Sequence, residues 1–210
     1  MSRQTLKADL FGIITLDTER AVVERDARAA RWWTSALARI LARREARALR
    51  ALQGVAGVPD LRAYGGGLLV RSFIPGEAMH RARPRDPRYF AEALTLVRSL
   101  HRHNVVHNDL AKEPNWLVTP GGQPALVDFQ LATVSGRRGR WFRMLAHDDL
   151  RHLLKHKRTY CRERLTARER RILATPSPLA RVWMSTVKPV YRFVTRRVFR
   201  WADREGAGDR

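Results

Sequence analysis

A single cysteine, Cys161, in a chain of 210 residues excludes an internal disulfide framework and any zinc site built on cysteine. No uninterrupted apolar run approaches the roughly 20 residues that a membrane-spanning helix needs. The opening MSRQTLKADL has neither the apolar core nor the small-residue cleavage site of a signal peptide. A soluble protein of a reducing, cytoplasmic compartment is therefore expected. Acidic residues are scarce, with 20 Asp plus Glu against 41 Lys plus Arg and a net charge of +21. Lysine is scarcer still, confined to Lys7, Lys112, Lys155, Lys157 and Lys188. With 44% hydrophobic residues the chain can bury a core, which excludes wholesale disorder. The length suits one domain or two small lobes around a cleft.

The charge is uneven. Residues 1–130 hold 20 basic and 13 acidic side chains, whereas residues 131–210 hold 21 basic and 7 acidic. Two thirds of the excess therefore lies in the last 80 positions, and the two parts are expected to do different work.

Residues 10–16 and 21–25 read as an antiparallel hairpin. A long helix is expected from Arg28 to Gln53, with Trp33, Leu37, Ile40, Leu41, Ala48, Leu49 and Leu52 at helical spacing. Glu45 falls inside that apolar stripe, where a carboxylate needs a partner. Short strands follow at 61–64 and 68–73, then a hinge at Ile74-Pro75-Gly76-Glu77. Residues 89–101 read as a helix with Phe90, Ala93, Leu94, Val97 and Leu100 on one face. A loop from His107 to Pro114 leads into strands at 115–118 and 124–129. Helices near 145–160, 166–174 and 185–202 complete the chain.

The informative stretch runs from His103 to Ala132. It contains His107-Asn108-Asp109-Leu110, then Asn115, a hairpin, and Asp128-Phe129-Gln130. This order resembles the catalytic core of the protein-kinase-like fold, and more closely its RIO and lipopolysaccharide-core sugar kinase branches. The resemblance implies an α+β fold of two lobes: an abbreviated antiparallel sheet with one long helix, then a mainly helical lobe. The expected divisions are 1–73 for the N-terminal lobe, 74–160 for the catalytic lobe and 161–210 for a basic helical extension.

Phosphoryl transfer needs positioned oxygens, magnesium and a group to accept the proton of the attacking hydroxyl. By resemblance Asp109 is the base, and Asn115 with Asp128 supplies hard oxygen ligands for magnesium. Lys112 contacts the transferred phosphate as a point charge, and His107 belongs to the catalytic set as a support of the loop backbone. Glu45 matches the helix glutamate, and Arg25 stands where a strand lysine is usual. Arg25, Glu45 and Lys112 are thus the expected binders and organisers of ATP phosphates. Either Asp148 or Asp149 is expected to receive the catalytic-loop backbone.

Departures from the pattern are informative. Asn115 follows Asp109 by six residues instead of five, which calls for a bulge, with Ala111 as its candidate position. Gln130 replaces a glycine and stiffens the backbone. No Gly-rich phosphate loop precedes the first hairpin, where only Gly12 is available. Lys7 is the sole lysine substitute for Arg25. The segment after Asp128 is short and lacks an Ala-Pro-Glu signature, which argues against regulation by phosphorylation there.

In the basic half, Arg137–Arg143 and Arg192–Trp201 interleave cations with aromatics. Nucleic acid, an anionic membrane surface and an anionic saccharide or glycolipid all fit that composition. The resemblance favours the glycolipid and membrane over nucleic acid, with peripheral contact on the cytoplasmic face of the inner membrane. His101, His103 and His107 share no single ligand geometry, so a zinc hydrolase is disfavoured. Cys161 sits in a basic stretch that could lower its pKa, but nothing marks it as a nucleophile.

The sequence thus predicts an ATP- and magnesium-dependent phosphotransferase acting on a hydroxyl. An envelope saccharide or lipopolysaccharide core sugar is the first acceptor class and a protein Ser or Thr the second. The alternative is a nucleotide-binding pseudokinase, or a basic scaffold docking on RNA or anionic membrane.

Overall fold

The computed structural model describes residues 3–175, and the chain divides into two compact units, Met1–Leu165 and Thr166–Arg210. The first unit begins with strands β1 (Arg3–Asp9), β2 (Gly12–Asp17) and β3 (Val22–Asp26), then helix α1 (Ser35–Ala51). Strands β4 (Leu61–Gly65) and β5 (Leu68–Ser72) complete an antiparallel sheet in the order β1-β2-β3-β5-β4. The expected hairpin is therefore β2–β3, shifted by one or two residues. Strand β1 is an addition, exposed along its whole length.

A two-residue turn, Leu10-Phe11, joins β1 to β2, where a kinase-like chain would carry its phosphate-covering loop. This turn is pinned. The Leu10 carbonyl accepts the Thr34 hydroxyl and, at 3.3 Å, the Arg31 amide. Phe11 packs on Ala27, Ala38 and Ala42. Gly12 has φ +126°, and a Cβ there would lie 2.2 Å from the Asp26 carbonyl oxygen, so close approach to β3 explains this glycine.

Helix α1 starts seven residues later than expected, because a 3-10 turn at Ala27–Ala29 and a further turn occupy its entrance. Its buried face matches the expected stripe at Ala48, Leu49 and Leu52 and departs from it in the first half of the helix. Ala38, Ala42, Ala46, Ala48 and Leu49 face inward, whereas Trp33, Leu37 and Ile40 are exposed. Small side chains let the helix lie close to the sheet, and the bulky apolar residues are left outside. Glu45 is on the inner face and fully buried.

Residues 73–76 connect to β6 (Glu77–Ala78), which pairs with a strand of the second lobe, so Glu77 belongs to a strand and not to the hinge. Helix α2 (Met79–Ala82) and helix α3 (Pro87–Arg102) follow, the latter capped by Asp86 with proline at its first turn. Strand β7 (Val105–Val106) leads into the loop that ends in β8 (Trp116–Val118), which pairs with β9 (Pro124–Leu126). Strand β10 (Thr133–Val134) pairs with β7, and helix α4 (Arg140–Tyr160) closes the lobe. Tyr89, Phe90, Val97, Leu100, Leu110, Trp116, Phe129 and Leu153 form its core, which continues onto Leu49 and Leu52. The loop between β7 and β8 is thus suspended over a packed base.

In the second unit the described helix is α5 (Ala167–Ala174), which opens with a capping box between Thr166 and Glu169. The helix expected at 185–202 lies outside the described residues.

Candidate active site

Strand β7 delivers the chain to a buried latch. Asp149 of α4 is 1% exposed, and its Oδ2 and Oδ1 accept the amides of His107 at 2.8 Å and Asn108 at 3.0 Å. His101 Nε2 reaches the same carboxylate at 3.3 Å. Of the two aspartates, Asp149 therefore holds the loop. Two backbone amides and an imidazole satisfy a carboxylate that would otherwise be costly to bury.

His107 is fully buried, with its ring 4.6 Å from Phe129 and its Nε2 donating to the Val127 carbonyl at 3.1 Å. It is a positioning residue, since no substrate can touch it. Asn108 adopts φ +65°, which asparagine tolerates, and its Nδ2 donates to the Leu131 carbonyl and the Thr133 hydroxyl at 2.9 Å each.

Beyond the latch, the Oδ2 of Asp109 accepts Asn115 Nδ2 at 3.0 Å and lies 3.0 Å from Lys112 Nζ. The Asn115 amide also donates to the Asp109 carbonyl at 2.9 Å, which directs its oxygen away from Asp109. The long spacing between these residues is absorbed by a turn at Leu110-Ala111 and a 3-10 turn at Glu113–Asn115. Trp116 Nε1 and His156 Nε2 both donate to the Leu110 carbonyl, at 3.1 and 2.8 Å. Tyr160 donates to Glu113 Oε2 at 2.8 Å; burial first, and then Glu113, push its pKa up to about 12.

Burial lowers the pKa of His156 below 6.5, partly opposed by its bond to Leu110 and by Glu113. The folded state therefore binds fewer protons than the unfolded chain, and stability present above the unfolded value is lost as pH falls through the folded one. Melting temperature is expected to drop on acidification below about pH 6.5. His156→Gln, which retains a donor for Leu110, should flatten that dependence. An unchanged slope would assign it to other groups.

The hairpin brings the remaining polar residues next to this loop. The Val127 amide donates to the Asn115 carbonyl at 3.0 Å, leaving Asp128 beside Asn115 at one end of β8–β9. Asp128 sits at φ +65°, and its Oδ1 accepts Gln130 Nε2 at 2.6 Å. Gln130 thus orients the Asp128 carboxylate in addition to stiffening the backbone. Arg25 Nη2 lies 3.8 Å from Asp128 Oδ1, while its Nε lies 3.1 Å from Glu45 Oε2.

Sequence reasoning does not find Arg71. Its Nε lies 3.4 Å from Glu45 Oε1, so one fully buried carboxylate serves two arginines. Burial pulls the Arg71 pKa below the ordinary arginine value, opposed by Glu45. The pairing of β3 with β5 supplied the missing signal, because Val23 opposite Arg71 and Arg25 opposite Leu69 share the inner face. Lys7 is elsewhere, half-exposed on β1 and paired with Asp9 at 3.2 Å. Two contact series result, Asp109 with Asn115 and Asp128 with Arg25, Glu45 and Arg71, and the Val127 amide on the Asn115 carbonyl sets them side by side.

Other side chains singled out by the sequence have structural partners. His103 Nδ1 meets the Ser99 carbonyl at 2.9 Å, and Phe142 packs inward on His101. Arg138 donates to Asn104 Oδ1 and the Arg102 carbonyl, at 2.8 and 2.6 Å. Cys161 is buried, and burial pushes its thiol pKa up, contrary to the effect expected from its basic neighbours. Among the described residues no group of three His, Cys, Asp or Glu side chains could hold a metal.

The model of the RIO domain family matches residues 7–169. Two similar solved structures are of the Rio2 kinase from Chaetomium thermophilum. One has a TM-score of 0.57 at 18% identity and covers 79% of this chain and 56% of that one. The other, an ADP/Mg2+-phosphoaspartate complex, has a TM-score of 0.55 at 18% identity, covering 79% and 55%. The chain thus spans little more than half the length of these proteins, and at such identity the likeness is one of kinase fold. Comparison with curated proteins finds no match.

Proposed function

The chain belongs to the RIO domain family, and from that premise we propose that it is an atypical kinase using ATP and magnesium. The reading rests on two adjoining contact series, Asp109 with Asn115 and Asp128 with Arg25 and Glu45, which supply a base, two oxygen ligands and a largely buried arginine on neighbouring stretches of chain. Asn115 and Asp128 offer an amide oxygen and a carboxylate, a hard-oxygen set that suits magnesium with its remaining positions left to phosphate and water. When bound, magnesium would neutralise charge on the phosphates. Arg25, braced by Glu45, supplies the cation for the phosphates that a strand lysine supplies in most kinases. Asp109 takes the proton as the acceptor oxygen bonds to the γ-phosphorus and the bond to the ADP oxygen breaks. Lys112 then steadies the transferred group.

The acceptor we favour is a hydroxyl of an anionic saccharide or glycolipid. The short segment after Asp128 supports it, because little chain is present there to seat a peptide. A second reading takes an aspartate of the chain itself as acceptor, since the Rio2 complex contains phosphoaspartate alongside ADP and Mg2+. Label released by hydroxylamine would favour that reading over an O-phosphorylated sugar.

Magnesium-ATP is expected to raise the melting temperature of the full chain more than ATP with chelator does. No nucleotide-dependent shift would sink the kinase reading. A shift without turnover would favour the pseudokinase.

A further inference from the structure

The outward face of α1 has no partner in the phosphotransfer reading. Trp32, Trp33, Leu37 and Ile40 are 89%, 50%, 48% and 55% exposed. Leu37 and Ile40 share one face of α1, and Trp33 stands in the turn just before the helix, four residues ahead of Leu37. Arg31, Arg39, Arg43, Arg44, Arg47 and Arg50 are exposed around them or farther along the helix. Between residues 27 and 51 the one acidic side chain is Glu45, and it is buried. The line of the stripe continues to Arg44, whose Nη2 donates to the Leu131 and Ala132 carbonyls at 3.0 and 3.3 Å. That segment begins three residues after Asp128.

We infer that the outer face of α1 docks on an anionic phospholipid surface. Charge complementarity argues for this occupant, since residues 31–50 present six exposed arginines and no exposed acid. A bilayer interface takes up both parts of the face: tryptophan and aliphatic side chains enter the headgroup boundary while arginines reach lipid phosphates. Nucleic acid would satisfy the arginines and stack on the tryptophans, but it offers nothing to Leu37 and Ile40. Docking through this line brings the stretch after Asp128 against the membrane, within reach of a bilayer-anchored acceptor. Residues 31–50 alone carry the inference, which does not depend on the kinase reading.

The test is sedimentation of the full chain with vesicles of phosphatidylcholine, alone or with roughly one third phosphatidylglycerol. Binding is expected to the anionic vesicles only, weakening as salt rises. The double variant L37E/I40E removes apolar contact and adds two charges of the wrong sign, and should lower partitioning by about thirtyfold. Should that variant not fold, Trp32→Ser alters a side chain lying outside the helix and almost wholly in solvent. Its partitioning should fall by about fivefold. Undiminished binding by whichever variant folds, equal binding to neutral vesicles, or a preference for single-stranded RNA would each overturn the inference. The magnesium-ATP shift of these variants should match wild type, which separates loss of docking from loss of the nucleotide site.

Discussion

Asp109→Asn is expected to lower ATP-dependent turnover by about 10²–10⁴-fold, the usual range for a positioned general base, while nucleotide-induced thermal stabilisation persists. The substitution keeps shape and removes the proton acceptor. Asn115 Nδ2, 3.0 Å from Asp109 Oδ2, can still bond to the new amide oxygen. Lys112, 3.0 Å away, loses one charged contact but is mostly in solvent, so little stability is at stake. The loop backbone does not rely on the Asp109 carboxylate: Asp149 holds His107 and Asn108, and His156 holds Leu110. Lost turnover with retained binding and melting behaviour would place the defect in chemistry. Turnover within a few-fold of wild type would remove Asp109 as the base.

The polar residues of this site were legible because short loops with fixed functional spacing leave little freedom. His107, Asp109, Asn115 and Asp128 fall on a strand end, a loop and the ends of one hairpin, so sequence order nearly determines proximity. The rest depends on pairings distant in sequence. Arg71 reaches Glu45 through the register of β5 on β3, which no local pattern reports. Asp148 and Asp149 are equivalent in composition, and only the helical phase of α4 against β7 selects Asp149. Strand β1 has Leu6 as its one large apolar residue and no alternating face, so nothing in it signals a strand. The expected stripe of α1 is buried at Ala48, Leu49 and Leu52 but not at Trp33, Leu37 and Ile40, because helical spacing identifies a stripe but not the direction it faces. In the first half of the helix Ala38 and Ala42 face inward, and Leu37 and Ile40 meet solvent.

Glu45→Ala is expected to destabilise the fold by about 3–5 kcal/mol, as removal of one partner from a buried charge cluster does. The carboxylate is fully buried, with Arg25 Nε at 3.1 Å and Arg71 Nε at 3.4 Å on its two oxygens. Its removal leaves two guanidiniums, 12% and 11% exposed, without their shared anion and repelling each other. Arg71→Met is expected to cost far less, on the order of 1 kcal/mol, because Glu45 keeps Arg25 and no cation is stranded. Combining Arg71→Met with Glu45→Ala should cost less than the sum of the single changes, since the second cation is then gone. Urea denaturation of the four proteins measures this cycle. A Glu45→Ala loss no greater than that of Arg71→Met would show that Arg25 and Arg71 find other partners, and Glu45 would lose its place as the anchor of Arg25.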